Sequence, residues 1–264
     1  MSPSNLCVNE DKLNIFAWLM IVLGVSTFIS SFYYNVALYG RYGSTYNGIS
    51  VNASVAWLLQ EAPAFIVPVL LLCMSDDKKE IATLQVSPNV VILSMFLLHY
   101  FRRSFIYPFW IKNTAPSPIT IFISSFVFCA CNGYMQGEYH VHCARYHEEW
   151  FYTYQFVLGS LLFFVGFVIN TYGDYVVTHL RKPGETGHKI PRGGLFEYIS
   201  CPNFFGEIVE WGGYALASSS FVAFAFFFNS AIVVGARALY HHSFYYKKFE
   251  DYPKNRKALI PFIL

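Results

Sequence analysis

VAWLLQEAPAFIVPVLLLCM, residues 55–74, is apolar along nearly its whole length, yet Gln60 and Glu61 sit near its middle. A run this long and greasy spans a hydrocarbon core of about 30 Å as a helix. A charge at the centre of such a helix costs roughly 2.5–3.5 kcal/mol on insertion scales, so Glu61 needs a partner or a task. The conflict recurs along the chain. Tyr100, Arg102 and Arg103 interrupt VVILSMFLLHYFRRSFIYPFW (90–110), Asn170 and Asp174 end another apolar run, and Glu207 and Glu210 lie in a further one. Together they imply a polar cavity within the membrane, lined by side chains that act on something.

The totals agree. Of 264 residues, 55% are hydrophobic, 20% aromatic and only 13% charged, where a soluble domain carries about 25% charged residues. Mean hydropathy is +0.38. The apolar runs are too long and continuous for barrel strands. The expectation is an all-α, multi-pass membrane bundle of seven transmembrane helices, near 13–34, 53–74, 88–110, 118–137, 152–173, 203–219 and 220–240. Ser218-Ser219-Ser220 is the divider between the last two. The opening MSPSNLCVNEDK lacks the basic start of a cleavable signal peptide, so the first run reads as a retained span. The whole chain, 1–264, reads as one domain, with polar cytosolic segments at about 174–202 and 241–264.

Orientation follows from basic residues, which favour the cytosolic side. With the N-terminus lumenal, eleven Lys/Arg fall on the cytosolic side and four on the lumenal side. A net charge of +2, with no basic run interleaved with aromatics, argues against a nucleic-acid partner. None of the six cysteines forms a CxxC pair, and they read as buried small hydrophobes. Asn52-Ala53-Ser54 matches a glycosylation sequon but abuts a span. No dinucleotide-fold GxGxxG, P-loop or GxSxG occurs, so a nucleotide here would be held by helices and loops.

Several constellations can carry chemistry. Asn170, Asp174, Thr178 and Arg181 share one helix face that descends into the basic loop LRKPGETGHKIPRGG. Amide and carboxylate groups there can bind a ribose or adenine, and Arg181 a phosphate; a basic last turn of a helix is the plainer reading. Asn203, Glu207, Glu210 and Tyr214 share another face, with Arg103 and Arg237 as candidate partners for the carboxylates. Tyr100, Arg103 and Tyr107 recur along the third span, and Gln60 and Glu61 lie on the second, where Pro63 and Pro68 disturb the helix. A phenol and a carboxyl kept neutral by burial make an electrophilic pair that can polarise a ketone; ordinary interface aromatics account equally for the tyrosines. His140, His142 and His147 cluster with glutamates, but their spacing matches no strong metal signature, and no metal is expected.

From about Asn170 onward the chain resembles the steroid 5α-reductases. The resemblance rests on LRKPGE (180–185), IPRGGLFEYIS (190–200), NFFGEIVEWGGYALA (203–217) and HHSFYYKKFEDYPKNRKALIPFIL (241–264), with earlier matches in YGRYG (39–43), WLLQE (57–61) and HYFRRSFIY (99–107). It implies a seven-helix membrane enzyme of the endoplasmic reticulum, N-terminus lumenal and C-terminus cytosolic, that reduces the 4,5 double bond of 3-oxo-Δ4-steroids with NADPH. Steroid would arrive from the bilayer and cofactor from the cytosol, in a monomer surrounded by lipid. By the resemblance, Glu61 and Tyr100 hydrogen-bond the steroid 3-oxo group and are the catalytic pair, and Trp57 walls the steroid pocket. It implies cofactor contacts from Gln60, Arg103, Tyr107, Asn170, Asp174, Arg181, Asn203, His241, Tyr245 and Arg256. Departures from the mammalian pattern fall at Arg102, Thr114, Thr178, His188 and Val233. Other activities that fit such a bundle are reduction of an enoyl-CoA or polyprenol double bond, methyl transfer from S-adenosylmethionine, and non-enzymatic sterol binding or transport.

Overall fold

The computed structural model describes residues 7, 9–34, 48–75, 87–112, 114–182, 185 and 187–264. Among the described residues, seven long helices form an antiparallel bundle. They are α1 (Glu10–Tyr34), α2 (Ala53–Met74), α3 (from Pro88), α4 (from Ile119), α5 (Tyr154–His179), α6 (Pro202–Ser218) and α7 (Phe221–Lys248). Two of them change pitch near their ends. α3 is α-helical to Phe101, π-helical over Arg102–Ile106 and α-helical again over Tyr107–Trp110, and α4 passes at Glu138 into a π-helical Tyr139–Cys143. Six of the described helices are long and apolar enough to cross a membrane; α6, with 17 residues, is the seventh member of the bundle. α5 and α7 run on to His179 and Lys248, past the expected ends at 173 and 240. Part of each segment expected to be an extramembrane loop is therefore helix.

Local chemistry sets the boundaries. Asn52 caps α2 by accepting from Ser54 N and Val55 N, which accounts for this residue of the sequon as a helix cap. Ser87, Thr153 and Ser220 cap α3, α5 and α7 in the same way. The serine divider works as expected: Ser219 adopts φ 47° and stops α6, and Ser220 starts α7.

Two cross-links sort the helix ends into two sides. β1 (Ser50–Val51) pairs antiparallel with β2 (Ser117–Pro118), holding the starts of α2 and α4 together. At the other side a Cys7–Cys143 disulfide joins the start of α1 to the end of α4. This corrects the expectation that the cysteines are merely buried hydrophobes. No local motif announces the pair, because the two residues lie 136 apart in sequence.

The helix contacts are of two kinds. α5 and α6 touch backbone to backbone: a Cβ at Gly166 would run into Glu210, one at Gly206 into Asn170, and one at Gly213 into Phe163. Such small-residue seams are how membrane helices approach closely, since apolar burial contributes little between helices already in lipid. α4 lies on the turns that Pro63 and Pro68 loosen in α2. A Cβ at Gly133 would come within 2.9 Å of Ala64 Cα, and one at Gly137 within 2.9 Å of Pro68 Cα. Pro68 has no N–H to offer the Ala64 carbonyl, and Gly133 lets α4 cover that turn. Between these helices Phe96, Tyr100, Trp211, Tyr214 and Phe226 form an aromatic core.

Candidate active site

A cavity of about 470 Å³ opens where α2 and α4 begin and α3, α5 and α7 end. The bundle's up-and-down order brings those ends together, so residues from distant stretches of sequence meet there. Nine of the expected site residues line it: Trp57, Gln60, Arg103, Tyr107, Asp174, Arg181, Asn203, His241 and Tyr245. The positions that depart from the mammalian pattern at Thr114, Thr178, His188 and Val233 line it too. Its volume lies within the range of small-molecule sites, roughly 300–1,000 Å³.

Arg103 is the hub. Its guanidinium lies 4.4 Å from the Trp57 ring centre and 5.0 Å from that of Tyr107, and those two rings meet edge to face at 5.2 Å. Both contacts are within reach of cation–π attraction. The same guanidinium donates to Asp174 Oδ2 at 3.3 Å. Arg102 donates to Asp174 Oδ2 at 3.1 Å and also to Asn170 Oδ1. Asn203 Nδ2 donates to Asp174 Oδ1 at 3.0 Å, and Asn170 Nδ2 to the Asn203 carbonyl at 2.9 Å. Asp174 thus balances two buried cations and ties α3, α5 and α6 together. Arg102 belongs to this floor, as its place among the charges interrupting the third span suggests, although the family resemblance assigned it no cofactor contact.

Two expected contacts stand behind the lining. Asn170 is fully buried between α5 and α6. Arg256 is 1% exposed and donates to the Pro191 carbonyl and to Glu197. It braces the Ile190–Ser200 loop, whose Glu197 also accepts from Gly193 N at 2.6 Å. That backbone donor, then Arg256, holds the Glu197 carboxyl below the usual carboxylate range. The two carboxylates on α6 differ in their partners. Arg103, one of the expected cations, faces Glu207 electrostatically, whereas Glu210 meets a group the sequence did not suggest: His99 Nδ1 lies 2.7 Å from Glu210 Oε1.

Glu61 and Tyr100 stand behind Gln60, off the cavity lining. Gln60 Nε2 donates to Glu61 Oε1 at 3.3 Å, and Cys129 Sγ–H to Glu61 Oε2 at 3.6 Å. Asn132 Nδ2 donates to the Tyr100 hydroxyl at 3.4 Å. Cys129 and Asn132 are one turn apart on α4, so the carboxyl and the phenol converge on one face of that helix. Asn132 and its neighbour Gln136 escaped the sequence reading. Two amides one turn apart inside an apolar run were the signal available for them.

The comparisons with known proteins come down on one family. The family profile described as 3-oxo-5-alpha-steroid 4-dehydrogenase matches residues 115–264. The human protein named 3-oxo-5-alpha-steroid 4-dehydrogenase 1 is 40% identical over 263 residues, 100% of both chains. The Bos taurus protein of the same name is 46% identical over 226 residues, covering 86% of this chain and 87% of that one. The Sus scrofa 3-oxo-5-alpha-steroid 4-dehydrogenase 2 is 48% identical over 227 residues, 85% of this chain and 87% of that one. With more than half the chain inside the family profile, and the full-length relatives aligned through the α2 and α3 residues that frame the cavity, this protein belongs to the 3-oxo-5-alpha-steroid 4-dehydrogenase family of oxidoreductases.

Proposed function

We propose that this protein reduces the 4,5 double bond of a 3-oxo-4-ene steroid to the 5α product with NADPH. The observation that carries the reading is Gln60. Its side chain forms part of the cavity wall and its amide bonds Glu61, so the cavity ends against the carboxyl–phenol pair.

The residues present fit a dinucleotide. Lys112, Arg181 and Lys189 make the mouth cationic, with Arg103 below them at the floor, as paired phosphates require. Asn203 and Asp174 offer polar groups deeper in, and Tyr245 and His241 offer ring faces. When bound, NADPH supplies a hydride, which the enone accepts at C5. Negative charge then builds on the steroid C3 oxygen. Tyr100 donates its phenolic hydrogen to that oxygen, and Glu61, as the neutral acid, donates a second. Preorganised donors in a site closed to water stabilise developing charge far better than solvent does. The Cys129 thiol is both a weak donor and a weak acceptor, so its contact suits Glu61 in either protonation state. Solvent or a nearby side chain protonates C4. Each chain holds a complete site, so a monomer suffices.

Orientation follows the same logic. On the cavity side lie Lys112, Arg181, Lys182, Lys189, Arg192, Lys247, Lys248, Lys254, Arg256 and Lys257, whereas among the described residues the opposite side carries only Lys12 and Arg145. That asymmetry favours a cytosolic cavity mouth. A disulfide on the opposite side suits the oxidising lumen of the endoplasmic reticulum.

The test is product identification. Protein reconstituted in liposomes is given progesterone with NADPH or NADH, and separately an enoyl-CoA. The expected result is a 5α-dihydro steroid with NADPH. Turnover of the enoyl-CoA alone, or no consumption of NADPH with the steroid, would overturn the reading.

A further inference from the structure

A chain of buried hydrogen bonds leaves Tyr100 on the side away from the cavity, and its direction can be worked out. Gln136 on α4 is fully buried, with Nε2 3.1 Å from the Val222 carbonyl. A backbone carbonyl only accepts, so the Gln136 group facing it must be the NH2. That fixes which way the amide lies. Gln136 Oε1 then faces Tyr214, whose hydroxyl donates to it at 3.0 Å. The same Nε2 also lies 3.3 Å from Asn132. Two NH2 groups cannot face each other across that distance, so the atom presented by Asn132 is Oδ1. Its Nδ2 is thereby turned to Tyr100, and donates to the phenol oxygen at 3.4 Å. Every step follows from the last, and the whole order descends from one backbone carbonyl.

The consequence falls on the phenolic hydrogen. A phenol O–H prefers the plane of its ring, which leaves it two positions. If Asn132 fills one with a donor, the hydrogen takes the other. Tyr100 is only 4% exposed, and Asn132 and Gln136 are fully buried, so water has little access to compete. The chain is neutral throughout, and a neutral chain can hold a direction without drawing the phenol toward ionisation.

We propose that Asn132 is a positioning residue for the reduction: it accepts direction from the Val222 carbonyl through Gln136, fills the accepting side of the Tyr100 hydroxyl, and turns the phenolic hydrogen toward the substrate oxygen. Tyr214 locks the far end by holding Gln136 in the same sense. The inference rests on the proposed role of Tyr100 as a donor to the substrate, and it adds residues that touch neither substrate nor cofactor.

The experiment is a double-mutant cycle on the full-length protein in liposomes, with progesterone and NADPH as probes. Asn132→Leu and Tyr214→Phe are each made in the native and in the Tyr100→Phe background. Losing one directing hydrogen bond is expected to lower kcat about tenfold for Asn132→Leu and about threefold for Tyr214→Phe, with the KM for NADPH unchanged. In the Tyr100→Phe background, which has no phenolic hydrogen to direct, both substitutions should have no further effect on kcat. A loss of equal size in both backgrounds, or a native kcat in Asn132→Leu, would overturn the proposal. If Asn132→Leu fails to fold, the isosteric Tyr214→Phe gives the same reading. The two failures are separable. Native turnover in Tyr100→Phe itself would remove the donor reading and this inference with it, whereas a slow Tyr100→Phe with additive losses removes only the positioning role.

Discussion

Two polar networks flank the Glu61–Tyr100 pair, and they are built from different materials. The one at the cavity floor is ionic: Arg102 and Arg103 on Asp174, with Asn170 and Asn203 filling the remaining positions. The one behind Tyr100 has no formal charge: Asn132, Gln136, Tyr214 and the Val222 carbonyl. Under the proposed function, the contrast matches what each side would meet. A polyanionic ligand calls for positive charge, and two arginines within the bundle are tolerable only beside a carboxylate. The carbonyl of an apolar ligand calls for an aimed hydrogen, which charge nearby would misdirect. The ionic network should therefore govern folding and cofactor affinity, and the neutral one turnover.

That division can be broken in several places. The largest effect is expected from Asp174→Ala, which removes the carboxylate shared by two buried guanidinium groups. Breaking a buried pair by removing one partner costs about 3–5 kcal/mol, so the protein should melt far lower in a thermal-shift assay in detergent. A native melting temperature would mean that Asp174 is not the counterion. Next comes Tyr100→Phe, expected to cut turnover about 10²–10³-fold, as loss of one oxyanion donor does, while the KM for NADPH stays near native. Equal turnover would end the assigned role. Arg181→Ala should raise the KM for NADPH and leave steroid affinity alone. A charge-assisted hydrogen bond contributes about 1.5–3 kcal/mol, so the expected rise is roughly tenfold or more; a selective loss of steroid binding would place Arg181 on the wrong ligand.

The smallest effect concerns Glu197. Its carboxyl titrates below the ordinary range, through the Gly193 N–H and then Arg256. A carboxyl of this kind stabilises the fold above its unfolded pKa, and loses that contribution as pH falls through its lowered folded value. The Ile190–Ser200 loop should therefore loosen on the acid side. The group is about half exposed, so solvent screening keeps the contribution to at most about 1 kcal/mol. Limited proteolysis of this loop across an acid titration should show native protein opening as pH falls. Glu197→Gln should show no such dependence, and an unchanged profile in the variant would remove Glu197 as the source.

How much of this could be read from the chain differs with range. The helices and the break at Ser219 are written in local patterns of apolarity and capping. The cavity lining was legible wherever polar residues interrupt an apolar run, as at Gln60, Arg103 and Asp174, because such interruptions are costly and stand out. Pairings over long separations were not legible. Nothing near Glu210 points to His99, and nothing near Cys7 points to Cys143. Arg102 and Arg103 are adjacent in sequence, yet both reach one carboxylate from the turn where the helix becomes π-helical, a convergence that no local pattern announces. Asn132 and Gln136 were overlooked for the opposite reason: an amide is a mild interruption, and what distinguishes these two is the direction of their bonds.

The Cys7–Cys143 bridge has a consequence for how the molecule is made. Cys7 leaves the ribosome almost at once, but its partner is translated 136 residues later, after α2 and α3 and at the very end of α4. With four crossings between them, an even number, the two thiols end on the same side of the membrane. Closure of the bridge therefore has to wait until the first four helices have been made. A nascent chain in which one of the four fails to cross leaves its thiols on opposite sides of the membrane, where no oxidant can join them.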